Sequence, residues 1–388
     1  MYSCAKFAVT LSLLAAFLVL TSGVPWGIGP VQGQTKDSDS DVPKELTPKT
    51  ITLQETNIPL SKALRELATQ TGNQVEDRRR EREDIKLSKI GLKNATFWQA
   101  LDTIAKTADA KVSLYERDGK IALLDGPHQV MPVSYSGLFR VAIKGLHLHH
   151  LLDADAHYCD INLEVAWEPR FQPLLMETRP DSLTVQDDKG RDIEIPESGK
   201  GPAAIGRPIV KTIDLRIPAP QRSAKSFSLL KGKLAVMGPI KMLTFTFDQL
   251  SKIEKANEAR KETKEGVTIH LRELRSEGGG GDEVWTVGLL LEYPPDGPKF
   301  ESFQSWIINN QLFLEREQAG IKQRFPPNLG YETDDQSDTK AIIRYRFGDE
   351  PEKKLTLGKF SDWRLVYRTP GRIVEVPVPF EFKDVSLP

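Results

Sequence analysis

The chain has 388 residues, with 53 Lys and Arg against 54 Asp and Glu, a net charge of −1. That length exceeds one ordinary core and predicts two to three domains, while the balanced charge supplies no overall field that would draw nucleic acid or anionic lipid. With only two cysteines, Cys4 and Cys159, stability has to come from apolar cores and not from a disulfide framework.

At the amino end a single lysine, Lys6, precedes an apolar run over residues 7–20. This run suits the hydrophobic region of a secretory signal and falls short of the roughly 20 residues of a membrane span. Small residues at Val31 and Gly33 offer a cleavage site. The expectation is a signal peptide over residues 1–33, a mature chain starting near Gln34 with no membrane span, and a flexible polar leader over 34–47. A retained anchor is the competing reading, because residues 21–29 could extend the apolar stretch.

In residues 48–126, Leu60, Ala63, Leu64, Leu67 and Ala68 carry the stripe of an amphipathic helix. Pro59 suits its start and Gly72 its end. The same stripe returns at Phe97, Ala100, Leu101, Ile104 and Ala105, opened by Thr96 with Gln99 as a capping pair. Short β-prone segments flank each helix, and the last is a hairpin turning at Asp118-Gly119. The pattern predicts a small α+β domain built on a βαβ repeat.

The strings TITLQETNIPLSKALRELATQTG and IKLSKIGLKNATFWQALDTIAKTADAKVSLYERDGKIALL resemble the short amino-terminal domain shared by secretins and TonB-dependent receptors. The resemblance implies a periplasmic domain that contacts a partner, here another envelope protein. Its motif consists of core positions and carries no catalytic group. No barrel or pore-forming strands follow it, so outer-membrane transport is not implied.

In the carboxy-terminal half Val141, Ile143 and Leu148 recur as Val267, Ile269 and Leu274, a shift of 126. The same shift carries the alternating Ile161, Leu163, Val165 and Trp167 onto Val287, Leu289, Leu291 and Tyr293, each series a strand with one buried face. The stretch from Gly238 through Asp248 answers to that from Gly371 through Lys383. Two tandem all-β sandwiches of immunoglobulin-like pattern are expected, over 130–250 and 266–388, joined by a charged linker over 251–265.

Residues 147–160, HLHHLLDADAHYCD, hold His147, His149, His150, His157 and Cys159. The 126-residue shift sets this stretch opposite a glycine-rich turn, Gly278 to Gly281, so it reads as a hairpin tip with no metal ligand. His147 and His149 would share one strand face and His150 the other, with His157 and Cys159 on the returning strand. A zinc-like site is the alternative. Asp187 and Asp188 form a turn and not an acid–base pair. Trp167 and Trp285 are expected in cores, with sugar stacking by these or by Trp306 and Trp363 as the alternative. The run from Glu76 to Asp84 mixes four arginines with five acids and reads as a solvated loop. With no nucleophile elbow, Walker loop, zincin or dinucleotide motif, the expectation is a non-enzymatic exported envelope protein, a scaffold or interaction module without cofactor, metal or nucleic acid. The alternative is a carbohydrate-binding or metal-dependent protein using the loop from His147 to Cys159.

Overall fold

The computed structural model describes residues 43–388 apart from 81–83, 117–118, 197–200, 206–208, 257–259, 279–282, 296–309, 319, 338, 351 and 353–355. The expected signal, residues 34–42 of the leader, Asp118, most of the glycine run and Trp306 lie outside the described residues. The fold is mostly β-strand in several sheets with few helices. No described helix is long and apolar enough to cross a membrane.

The first body runs β1 (Thr50–Pro59), α1 (Leu60–Thr71), β2 (Val75–Asp77), β3 (Lys86–Thr96), α2 (Phe97–Thr107), β4 (Lys111–Ser113) and β5 (Ile121–Leu124). β1 pairs antiparallel with β3, while β5 sits between β2 and β4. The helices bury the faces that their periodicity marks, Leu60, Ala63, Leu64 and Leu67 on one and Phe97, Ala100, Leu101, Ile104 and Ala105 on the other. Gly72 ends α1 at φ 80°, a left-handed conformation open to glycine at little cost. Thr96 and Gln99 form the capping box of α2. α1 receives its cap from a distance, because Asp84 accepts hydrogen bonds from the Ser61 amide at 3.0 Å and the Ser61 hydroxyl at 2.6 Å.

Two β bodies follow. Their strands are β6 (Val133–Ser136), β7 (Phe139–Leu151), β8 (Ala156–Trp167), β9 (Leu175–Glu177), β10 (Ser182–Asp187), β11 (Pro202–Ala204), β12 (Val210–Pro218), β13 (Ser226–Pro239) and β14 (Met242–Phe247). After α3 (Leu250–Ala256) come β15 (Arg260–Lys264), β16 (Val267–Glu277), β17 (Val284–Glu292), β18 (Gln311–Gln318), β19 (Ile321–Phe325), β20 (Tyr331–Gln336), β21 (Lys340–Gly348), β22 (Arg364–Pro370) and β23 (Ile373–Ser386).

One sheet of the first β body has the order β12-β8-β7-β6, and its counterpart in the second β body has β21-β17-β16-β15 with β20 added at the edge. Both carry a break in register on the strand that opens the hairpin, at Lys144 in β7 and at Arg272 in β16. The bulges align these strands at a shift of 128 and not 126. Val141, Ile143 and Leu146 therefore correspond to Ile269, Leu271 and Leu274, which explains why Leu148 is 43% exposed while Leu274 is buried. Ile161, Leu163, Val165 and Trp167 enter one core and Val287, Leu289, Leu291 and Tyr293 the other. Taking each such side chain out of water contributes about 1.5–3 kcal/mol.

The facing sheets correct the division into 130–250 and 266–388. β14, which closes the first copy, pairs with β22 of the second, and β23, which closes the second, pairs with β13 of the first. Each copy hands its last strand to the other. The register is unbroken from Ser226 opposite Ser386 to Phe247 opposite Leu365, with Ile240 and Gly371 donating to Arg372 and Lys241 carbonyls across the crossing. Val376, Val378, Phe380 and Phe382 accordingly lie in the core of the first β body, and Phe245 and Phe247 in that of the second β body.

The described parts of the two expected linkers also carry regular structure. Residues 251–265 supply most of α3 and all of β15, the latter paired with β16, and Leu250 and Ile253 enter the second core. At the leader's end, Lys44–Leu46 form a single turn whose Leu46 is buried in the first β core. Arg170 fixes that turn by donating to the carbonyls of Glu45 at 2.9 Å and Thr47 at 2.7 Å.

Candidate functional site

β7 and β8 carry chemistry at both ends. Toward their β6 end, the outward face of the sheet meets the α+β body, and Ala166, Ile209 and Val210 pack into that body's core. The Trp98 indole donates to the Leu138 carbonyl at 2.9 Å. Around these contacts lies a charged network. Arg140, 7% exposed, donates to Asp102 at 2.9 Å and reaches Glu164 at 3.5 Å, and Glu164 is itself 3% exposed. Tyr115 donates to Glu164 at 2.8 Å, Tyr135 to Asp102 at 2.6 Å, and Lys144 lies 3.6 Å from Glu164. Burial raises the phenol pKa of Tyr115 and, with the adjacent Asp102 charge, that of Tyr135. Asp102, Tyr115, Arg140, Lys144 and Glu164 border a cleft of about 300 Å³ that also takes in Lys111 and His128.

A second buried contact closes the same junction. Glu168, 0% exposed, accepts from Asn73 at 2.9 Å and from Arg170 at 2.6 Å, so one carboxylate joins the α+β body to the segment after β8. Desolvation raises its pKa against the pull of Arg170 and Asn73. Asn73 Oδ1 and Glu168 Oε1 have no hydrogen-bond partner, a cost the surrounding contacts must offset.

At the other end, residues 147–160 form the expected hairpin. Cross-strand pairs are His147 with Asp160, Leu148 with Cys159, His149 with Tyr158, His150 with His157 and Leu151 with Ala156. Alternation puts His147 and His149 on one face with Tyr158 and Asp160. There, His149 stacks on Tyr158 at 4.6 Å and lies 3.4 Å from Asp160, while Arg216 from β12 binds Asp160 at 2.8 Å and covers the Tyr158 ring at 4.0 Å. The opposite face carries His150, His157 and Cys159. Cys159 is buried in the core and is not among the donors gathered at the tip, and burial pushes its thiol up to about 11. His150, Asp155 and His157 remain exposed, their donor atoms all within 4.8 Å of one another.

Trp167, Trp285 and Trp363 are buried, which removes them as sugar-stacking platforms. Asp187 accepts from the amides of Lys189 and Arg191 and pairs with the Arg191 guanidinium at 2.6 Å, so it organises a reversal. In the described part of the run from Glu76 to Asp84, Arg78 pairs with Glu76 and Glu116 and Arg79 with Asp77. A half-open cleft of about 400 Å³ in the second β body is lined by Phe313, Arg324, Tyr331 and Tyr345, with Arg324 stacked over Phe313 at 4.5 Å. Sequence reasoning missed the junction network. Its signals were an arginine inside the apolar FRVAI of β7 and a glutamate, Glu164, on the polar face of β8 where the neighbouring Ala166 is apolar.

Compared with known protein families, with curated proteins and with solved structures, the chain matches none.

Proposed function

We propose that this protein is a non-catalytic component of the bacterial cell envelope, exported by its amino-terminal signal, and that it works as an interaction scaffold whose α+β domain engages another envelope protein. The observation that carries this reading is the continuous register of β13 and β14 against β23 and β22, bridged between the two ladders by Ile240 and Gly371, which makes the two β bodies one support. The junction adds to it, because Arg140, Asp102, Glu164, Tyr115 and Tyr135 are spent on one another. Groups paired in this way hold surfaces in fixed relation and are poorly placed to exchange protons with a substrate. The β bodies are read as immunoglobulin-like sandwiches, supported by their facing sheets and the repeated order of four strands. The order β-α-β-β-α-β-β of the first body supports its kinship with the short domain of secretins and TonB-dependent receptors.

The test places a photo-crosslinking residue at exposed positions of the α+β domain, Arg65 and Lys106, and at Lys383 on β23 as a control. In envelope fractions of the native host, Arg65 or Lys106 is expected to capture one envelope protein that Lys383 does not. Recovery of the protein in the cytosol with an intact Met1, or capture equal from all three positions, would overturn the proposal.

A further inference from the structure

We propose that the tip of the β7–β8 hairpin binds one divalent transition-metal ion of the zinc and copper class through His150, Asp155 and His157. The inference is independent of the scaffold reading, since it rests on side chains that take no part in the domain junction.

His150 and His157 are directly opposed across the ladder, their rings 3.9 Å apart and 16° from parallel. From Gly145 opposite Asn162 to Leu151 opposite Ala156 the register is continuous, so the separation of the two imidazoles is set by backbone pairing. Asp155, in the turn, brings Oδ1 to 3.1 Å from His150 Nε2. In a tetrahedral zinc site with bonds of about 2.0–2.1 Å, neighbouring donor atoms lie about 3.3 Å apart. The His150 and Asp155 atoms already have that spacing. With all three donors within 4.8 Å, His157 has at most about 1.5 Å to close, a distance that ring rotation supplies while the backbone stays in place.

The donor set decides the class of ion. Two imidazoles and one carboxylate suit zinc, copper(II) and nickel(II), whereas calcium and magnesium require oxygen donors throughout. Asp155 is 89% exposed along its side chain, so an ion enters from solvent and keeps water in its open positions. The nearby cation does not compete, because Arg216 is engaged by Asp160 and Tyr158 on the opposite face of the hairpin. Nor is the arrangement a general property of these hairpins. Between Glu277 and Val284 the second copy has four glycines, an aspartate and a glutamate, and no histidine.

The experiment uses full-length protein purified without a polyhistidine tag, titrated separately with zinc, copper(II), calcium and magnesium salts, with bound metal counted after dialysis. One zinc or copper per chain is expected at micromolar free metal, with neither calcium nor magnesium retained. The double variant His150→Ala/His157→Ala should lower zinc affinity at least about 100-fold, and Asp155→Asn about tenfold. His147→Ala/His149→Ala should leave affinity unchanged. Because Asp155 lies in an exposed turn, its variant tests the site even if the double variant folds poorly, and electron paramagnetic resonance of bound copper should fall from two nitrogen couplings to one in His157→Gln. Absence of stoichiometric zinc and copper, retention of calcium to the same degree, or affinity that follows His147 and His149 instead would each overturn the assignment.

Discussion

Leu230 of β13 lies directly across the ladder from Phe382 of β23, and both are buried in the core of the first β body. A strand more than 200 residues further along the chain thus completes the core that β7 and β8 enter. Replacing Phe382 by alanine should cost about 3–5 kcal/mol, the range for a large buried aromatic. Hydrogen exchange should show the loss of protection first in residues 139–167. Loss confined to residues 311–370 would refute the exchange of closing strands.

The shared ladder also governs cooperativity. Leu163 and Leu289 are both fully buried, in different cores. Each changed to alanine should cost about 2–5 kcal/mol, and both changes should lower the midpoint of one common unfolding transition. Independent sandwiches joined by a flexible linker would instead give two transitions, each moved only by its own substitution, and calorimetry separates the outcomes.

Local pattern was legible because it depends on neighbours in the chain. The helical stripes, the Thr96–Gln99 box, the alternation in β8 and β17 and the hairpin form of residues 147–160 all follow from residues close in sequence. Alternation at Val376, Val378, Phe380 and Phe382 likewise marks a buried face. It says nothing of which sheet receives that face, so the crossing of β23 to β13 was not readable. Residues 251–265 failed for another reason. A short helix buried through Leu250 and Ile253 and an edge strand of charged residues need little apolar surface, and in composition they look like a linker. The His150, Asp155 and His157 cluster required the register as well as the composition, since a slip of one residue would place the two histidines on opposite faces.

The junction makes a separate prediction. Arg140 sits between Asp102 and Glu164, whose side chains are 13% and 4% exposed. Arg140→Ala leaves two carboxylates without their guanidinium, and breaking a buried pair in this way costs about 3–5 kcal/mol. The segment 126–132 between the bodies should then become sensitive to protease before either core does. Unchanged proteolysis and stability would show that Lys144 and the two tyrosines suffice to hold the junction.

Glu168 supplies a pH dependence of defined sign. Its folded pKa is raised, chiefly by burial, above the ordinary value of 4.5. The folded state therefore holds this proton more tightly than the unfolded chain does. The contribution of Glu168 to stability is fully present below about 4.5 and is lost as pH rises through the folded pKa. The charges that face it, Arg170 and Lys49, lessen the loss without reversing it. Glu168→Gln keeps an acceptor for Asn73 and removes the titration. Because other carboxylates such as Asp187 and Glu315 are shifted the opposite way, the quantity to follow is the difference in unfolding free energy between wild type and variant across a pH series. That difference should move steadily in favour of the variant as pH rises from the ordinary carboxylate range. A difference that stays constant, or moves toward the wild type, would mean that Arg170 and Asn73 outweigh desolvation and that Glu168 is held as a stabilised carboxylate.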